Sequence, residues 1–512
     1  MVLQHAATLI ASCGSLALAW RSGRRHQAEW ALFWVLACGF VLRLDFLLYW
    51  NLWQWDERYH ALVAKNFLTD PLSPRLYSDA VLPERHGGWT TAGVWLHKPP
   101  LALWLLALGL RIFGVNAIAL RIPSLVLSLV GVWLTYRVGW HIFGPRAALC
   151  AAAFHATNGV ILDLAAGRRP VDHVDTLLIV FVAAGVFVLV RGGSWTRRFV
   201  ALVPLTAAAL LTKMFPGYLI SALAAIALRG EGDSWTRTAV RTTTLVAAAT
   251  AVALPWFLYS GERWPEEFAN SLGDALRHVP DVVESHGGGS GFHLARIGRF
   301  FGEGAWIGIA LLAVNAARSR NGHLILLGAW IAIPYAVFSL AGTKMPNYPL
   351  LAAPAIFLAE GALAVRLADS IREQRVRWLA AVLLGALVIL PVRYTIERLN
   401  PILLVNGVLT LKHAERRPAW VDELRCFDGR LKDAGLVRSV IFSAPRPIET
   451  MFETSAIAYL DAPRTADVVR VEEKGYAPLV YRNGRLVSLG SIAPITLDCS
   501  TPASAQRPKA RS

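Results

Sequence analysis

The sequence predicts an α-helical polytopic membrane protein with a small α/β region at its C-terminal end, and three observations carry that reading. Hydrophobic residues make up 55% of the 512 and charged residues only 17%, whereas soluble domains are about a quarter charged. The apolar residues fall in continuous, non-alternating runs, most of them about 17 to 25 residues long, which suits helices crossing roughly 30 Å of hydrocarbon and argues against a β-barrel. Basic residues recur between the runs in a way that fits one orientation.

The first run, 2–20, is followed by Arg21, Arg24 and Arg25. That order is the reverse of a signal peptide's, so residues 1–28 read as an extra span and a basic cytoplasmic loop. The arginines around 137–146, 191–198, 229–241, 318–320 and 366–377 belong in the cytoplasm by the same bias. Spans are then expected at 30–50, 122–143, 147–165, 175–190, 199–211, 215–228, 239–259, 305–316, 323–341, 350–364 and 378–394, about 11 to 13 in all. The transmembrane domain covers 29–411. Four segments lie outside: 51–121, 167–173, 261–303 and the chain after about 393. Polar residues stand out most there, so chemistry is sought on that face.

Within the first outer segment, the apolar stretch 98–114 is short and bounded by Pro and Gly, which suits an interfacial helix. Residues 412–512 read as a soluble α/β region, with strands at 439–443 and 478–482 and a helix at 448–460. The net charge of +16 and the 19 tryptophans follow from basic loops and aromatic belts, so nucleic-acid binding is not expected. A basic balance does suit a protein that handles anionic membrane lipids.

Five groups of residues stand out. Asp56 and Glu57 open the first outer segment, either as solvated charges in an aromatic belt or as a carboxylate poised to act as a general base. His97 and Lys98 precede Pro99 and Pro100, which fix the lysine's location; it either snorkels to the headgroups or meets a lipid phosphate. Arg168 and Arg169 run against the orientation bias and ask for an anion. Asp175, at the next span, either pairs with them, caps the helix or takes part in the chemistry. Lys213 and Lys344 sit at outer span ends beside helix-breaking prolines, with Tyr348 close to the second.

Taken together, Asp56-Glu57, Lys98-Pro99-Pro100-Leu101, Phe113-Gly114 with Arg121-Ile122-Pro123-Ser124, Asp175, and Lys344 with Tyr348 resemble the bacterial transferases related to lipid A aminoarabinose transferase and to protein O-mannosyltransferases, within the GT-C superfamily. The resemblance runs from about Trp55 to Pro354, and the tail segment Ile448-Glu449-Thr450-Met451-Phe452 is similar to the outer domain of some relatives. It implies an inverting glycosyltransferase that moves a sugar from a polyprenyl-phosphate donor to an envelope acceptor, lipid A or another glycolipid, at the outer face of the inner membrane. Asp56 is then the acid/base, Asp175 the second outer acid, and Lys98 and Tyr348 hold the phosphate. Arg168, Arg169, Lys213 and Lys344 join the phosphate set from their positions, and Glu57 joins the catalytic set as Asp56's neighbour.

The sequence departs from the family at His60, which falls where Tyr is frequent, and at His97, where an acid is common. A protein acceptor is the enzymatic alternative, and a lipid or sugar flippase the alternative from another class. No cofactor is required by the implied chemistry. A zinc site drawn from His97, His286 and His293 with Glu57 or Asp175 has suitable ligand types, but no spacing demands it. Cys426 and Cys499 lie outside the apolar runs, on the side expected to be oxidising, and either bridge the tail or remain separate thiols.

Overall fold

A computed structural model of the chain describes residues 2–83, 90–168, 172–371, 377–399, 402–405, 408–413, 415–491 and 493–499. The chain divides into two compact units, Met1–Leu47 with His97–Ala102 and Arg121–Ala414, and Leu48–Leu96 with Leu103–Leu120 and Glu415–Ser512.

The first unit is a helical bundle. Seven helices among the described residues are long and apolar enough to cross a membrane, or up to nine when two bent pairs each count as one span. Three more helices coincide with expected spans. The helix Val2–Arg24 ends on Arg21 and Arg24, Trp195–Lys213 carries Arg197, Arg198 and Lys213, and Phe215–Gly230 is a shorter apolar segment. Each expected span thus meets a helix, and the first unit is a multi-pass membrane bundle.

Local sequence explains the breaks. Asn158 ends Pro145–Thr157 and accepts hydrogen bonds from the backbone N–H of Val160 and Ile161, starting Gly159–Ala165 at a 57° bend. Its amide also donates to the Phe300 carbonyl at 2.7 Å. Gly159 has no substitute, because a Cβ would stand 2.8 Å from the Thr395 Cα. Asn321 caps Gly322–Leu340 in the same manner as Asn158. Arginines expected in the cytoplasmic loops find acids locally: Arg198 grips Glu231 through two bonds of 2.6 and 2.7 Å, and Arg241 meets Asp233 at 2.6 Å. The bundle's main core includes fully buried Trp330, whose indole donates to the Leu351 carbonyl at 2.8 Å. Residues Ile402–Val405 and Val408–His413 form a short antiparallel ribbon.

The second unit is built on a five-stranded sheet in the order Ile457–Ala458, Ser439–Phe442, Ala477–Arg482, Arg485–Ser488, Thr496–Asp498. The first three strands are parallel and the last three antiparallel. Asn483 and Gly484, both at positive φ, make the two-residue hairpin turn that such a dipeptide favours. One core takes in Leu62, Trp95 and Leu103 from the first outer segment together with Phe427, Val440 and Phe442. The α/β region expected over 412–512 therefore shares its hydrophobic core with the first outer segment. The helix expected at 448–460 is shorter, Pro447–Glu453, and a strand follows at Ile457–Ala458. The chain leaves the helix at Thr454, which is extended and whose hydroxyl donates to the Thr450 carbonyl at 2.7 Å, and Lys65 takes carbonyls of the last turn, as described below.

Cys426 on the helix Ala419–Asp433 is bonded to Cys499 beyond the last strand, with Cα atoms 6.0 Å apart, closing a separation of 73 residues. A loop of that length restricts the unfolded chain considerably. In the full-length protein both thiols should resist maleimide until a reductant is added, and Cys426→Ser should lower the stability of this unit by about 2 to 5 kcal/mol. Labelling of either cysteine without reductant would show that the bridge does not form.

Candidate active site

In the first unit, three chain breaks bring His97, Lys98, Lys213 and Tyr348 to one cavity of about 400 Å³. Lys98 precedes Pro99 and the helix Pro100–Phe113, whose proline start fixes the entry of the chain. Lys213 is the last residue of Trp195–Lys213, and Met214, at φ 51° and ψ −127°, turns the chain into the 3₁₀ segment Phe215–Tyr218. A left-handed φ on a methionine is strained and persists only where the surroundings enforce it. Here they do, since Gly217 packs so closely on the preceding helix that a Cβ would meet the Ala209 and Leu210 backbone at 2.7 Å. Tyr348 opens the 3₁₀ segment Tyr348–Ala352, which a proline also initiates.

The rest of the wall is almost wholly apolar, with Phe215, Leu219, Val279, Ile333, Val337 and Phe338 among its residues. Lys98 Nζ and His97 Nε2 are within hydrogen-bonding distance, 3.0 Å apart. Lys213 forms an ion pair with Asp175 and lies 4.8 Å from the centre of the Tyr348 ring. That ring packs on Phe338 with centroids 4.9 Å apart. Two ammoniums and a phenol on the wall of a greasy cleft suit an anionic group attached to a long apolar chain.

Other expected ligands are committed elsewhere. The Lys344 ammonium donates to the Ser339 carbonyl at 2.8 Å and to the Ala341 carbonyl, capping Gly322–Leu340. Its backbone N–H meets the His286 carbonyl at 2.7 Å. Arg168 binds the carbonyls of Arg398 at 2.6 Å and Phe46 at 3.2 Å, and stands 3.7 Å from Asp163. Both serve the fold in this structure. Arg169 lies outside the described residues. Asp175, expected as the second outer acid, forms the ion pair with Lys213.

Among the described residues, no three His, Cys, Asp or Glu side chains group closely enough to hold a metal ion. The His286 ring is 4.0 Å from Glu284. His293 is buried, and burial, with Lys344 adding to it, pushes its pKa down to about 4.

Asp56 and Glu57 belong to the second unit, at the start of the helix Asp56–Asn66. Both are buried. Trp55 precedes them at φ 71° and ψ −131°, the second strained non-glycine turn beside a candidate residue. Glu57 Oε2 accepts from the Trp53 backbone N–H at 2.5 Å, which makes Glu57 the brace of that turn. His60 meets Trp95 edge-on at 5.6 Å.

A family profile described as dolichyl-phosphate-mannose-protein mannosyltransferase matches residues 97–259. The undecaprenyl phosphate-alpha-4-amino-4-deoxy-L-arabinose arabinosyl transferase of Pseudomonas aeruginosa is 26% identical over 276 residues, 50% of this chain and 47% of its own length. That of Pseudomonas savastanoi is 25% identical over 365 residues, 67% of this chain and 61% of its own length. The chain thus spans about half the length of the curated relatives it matches first. The crystal structure of ArnT from Cupriavidus metallidurans bound to undecaprenyl phosphate superposes with a TM-score of 0.62 at 14% identity, covering 91% of this chain and 98% of that one. The chain has the GT-C fold. The archaeal oligosaccharyltransferase AglB from Archaeoglobus fulgidus shares it more distantly, with a TM-score of 0.55 at 13% identity over 88% of this chain and 69% of that one.

Within the GT-C fold, sequence reasoning passed over two contributors to the arrangement. Lys65 was given no role from the sequence, although a cation directly after the apolar run Ala61-Leu62-Val63-Ala64 is a signal. Nothing in the sequence marks Met214 as a strained turn, because its φ is imposed by Gly217 packing.

Two outcomes follow. Lys213→Met leaves the Asp175 carboxylate buried without this cation and should cost about 3 to 5 kcal/mol, whereas Lys213→Met with Asp175→Asn should recover much of it. Thermal melting in detergent checks this, and equal loss in both variants would rule out the pair as a unit. His293 is held neutral when folded, with its pKa lowered from 6.5 to about 4. The unfolded chain therefore binds more protons between those values, and stability should fall as pH drops from 6.5 toward 4. His293→Leu should flatten that slope in melts recorded across the window.

Proposed function

We propose that the chain is a polyprenyl-phosphate-dependent glycosyltransferase of the bacterial inner membrane, which transfers a sugar to an envelope glycolipid, lipid A first among them, on the periplasmic side. The observation that carries this reading is the apolar cleft with Lys98, Lys213 and Tyr348 on its wall. Its chemistry suits a phosphate on a long hydrocarbon chain better than any water-soluble donor. The printed names of the relatives, and the undecaprenyl phosphate bound to the Cupriavidus protein, support the same carrier. They make undecaprenyl phosphate-4-amino-4-deoxy-L-arabinose the first donor to test.

In this mechanism the acceptor oxygen attacks the anomeric carbon from the face opposite the phosphate. The bond from that carbon to the carrier oxygen breaks, and the polyprenyl phosphate leaves with its charge held by Lys98 and Lys213 and its oxygen by the Tyr348 hydroxyl. Asp56 takes the proton of a hydroxyl acceptor. Where the acceptor is itself a phosphate, little base catalysis is needed and orientation supplies more of the rate. The lysines provide the charge stabilisation in this mechanism, and turnover should persist in chelator.

A second reading, transfer to a protein hydroxyl, is favoured by one observation, the match of residues 97–259 to the protein mannosyltransferase profile.

Mass spectrometry of envelope lipids and glycoproteins with and without the gene separates the two, since the missing sugar mass will sit on one class. With the reconstituted protein, Asp56→Asn should lower transfer to a hydroxyl acceptor by about 100- to 10,000-fold and leave carrier binding intact. Lys98→Met should weaken undecaprenyl phosphate binding and also slow turnover, because the cation serves ground state and leaving group alike. Near-normal turnover of the first, or unchanged carrier affinity of the second, would remove that residue from its role.

A further inference from the structure

The helix Asp56–Asn66 carries at its far end a residue outside the phosphate and acid/base set. Lys65 sends its ammonium to three carbonyls at the end of Pro447–Glu453: Met451 at 2.6 Å, Phe452 at 3.1 Å and Thr454 at 2.6 Å. These are acceptors that a helix C-terminus leaves open, and a cation also complements the negative end of the helix dipole. At the other end of both helices, Arg58 stands 3.6 Å from Glu449, a buried carboxylate in the first turn of Pro447–Glu453. Charge is therefore matched at both ends of the short helix, and both partners come from the helix that begins with Asp56.

The consequence is geometric. An eleven-residue helix is a rod of about 16 Å, and a rod tied at two points along its length has little freedom to tilt. The near end is further fixed by the Glu57 bond to the Trp53 N–H and by the strained Trp55 turn. Nothing in this arrangement touches a reacting atom, so Lys65 and Arg58 act through the position of Asp56. Burial lowers the Lys65 pKa to about 8, which fits an ammonium held in a dry site by carbonyl dipoles.

We infer that Pro447–Glu453 of the C-terminal region is part of the catalytic scaffold, and that Lys65, with Arg58 and Glu449, is a positioning residue that sets the orientation of Asp56. The inference rests on the reading of Asp56 as the base. Displacing a catalytic group by about 1 Å costs on the order of 100-fold in rate, so the tie has room to matter without any ligand contact.

The test uses the full-length protein in nanodiscs, with undecaprenyl phosphate-4-amino-4-deoxy-L-arabinose as donor and a hydroxyl-bearing lipid A acceptor. Lys65→Met should lower kcat on the order of 10- to 100-fold while the KM for donor, the affinity for undecaprenyl phosphate and the main melting transition stay near those of the parent. Lys65→Arg should restore most of the rate, and Glu449→Gln should lower kcat in the same direction as Lys65→Met. In an Asp56→Asn background, Lys65→Met should reduce the residual rate no further, since it acts through the lost group. Unimpaired turnover of Lys65→Met, or the same proportional loss in the Asp56→Asn background, would overturn the inference. If Lys65→Met does not fold, Glu449→Gln with parental kcat overturns it equally. Full activity of Asp56→Asn alone sinks the reading of Asp56, whereas a strongly impaired Asp56→Asn beside a normal Lys65→Met sinks only the inference.

Discussion

A cation carried into an apolar bundle must find its acceptors there, because hydrocarbon offers none and an unmatched charge is costly. Each deep cation of this protein meets that constraint in its own way, and the way it does so decides what it is available for. Arg43, fully buried, donates to the Ser128 hydroxyl and to the carbonyls of Ala156 and Gly39, and so ties three helices together. Lys344 and Arg168 are absorbed by backbone carbonyls. Lys213 is held by a carboxylate and a ring, on the wall of the cleft. An ammonium held that way keeps its charge at the surface of a cavity, whereas one that caps a helix has its hydrogens directed into protein.

Broken helices supply the acceptors and the sites together. Where a proline or a strained turn interrupts a helix, freed carbonyls appear and the side chains beside the break point into space that a continuous helix would fill. Met214 and Tyr348 mark two such breaks in the first unit. In the second, Trp55 marks the start of the helix that carries Asp56. The left-handed backbone at Met214 and Trp55 costs on the order of 1 to 3 kcal/mol each. Close packing of Gly217 and the Glu57 brace are what the surrounding structure offers in compensation.

The membrane bundle was legible in the sequence because the length of an apolar run and the placement of arginines are properties of the chain alone. Each expected span coincides with a helix, and even the broken span around Asn158 falls inside an expected run. That Lys98, Lys213 and Tyr348 stand where helices break was legible for a related reason: a cation or phenol close to a helix-breaking proline is a local pattern. The helix expected over 448–460 was harder, since the carbonyls at its end are taken by Lys65, almost four hundred positions earlier in the chain.

What the sequence determined by itself is therefore the solvent the protein lives in, the order of its spans, and the short list of polar residues placed where helices end. Tertiary structure decided which of those residues face a cavity. Lys213 and Lys344 are alike in sequence, each a lysine after a threonine at a span's end and before a methionine, yet one lines the cleft and the other caps a helix. The difference lies in which acceptors reach each ammonium. An ion pair from Asp175 and carbonyls from the helix Gly322–Leu340 are arranged by packing between distant segments, and no local pattern records such a distance.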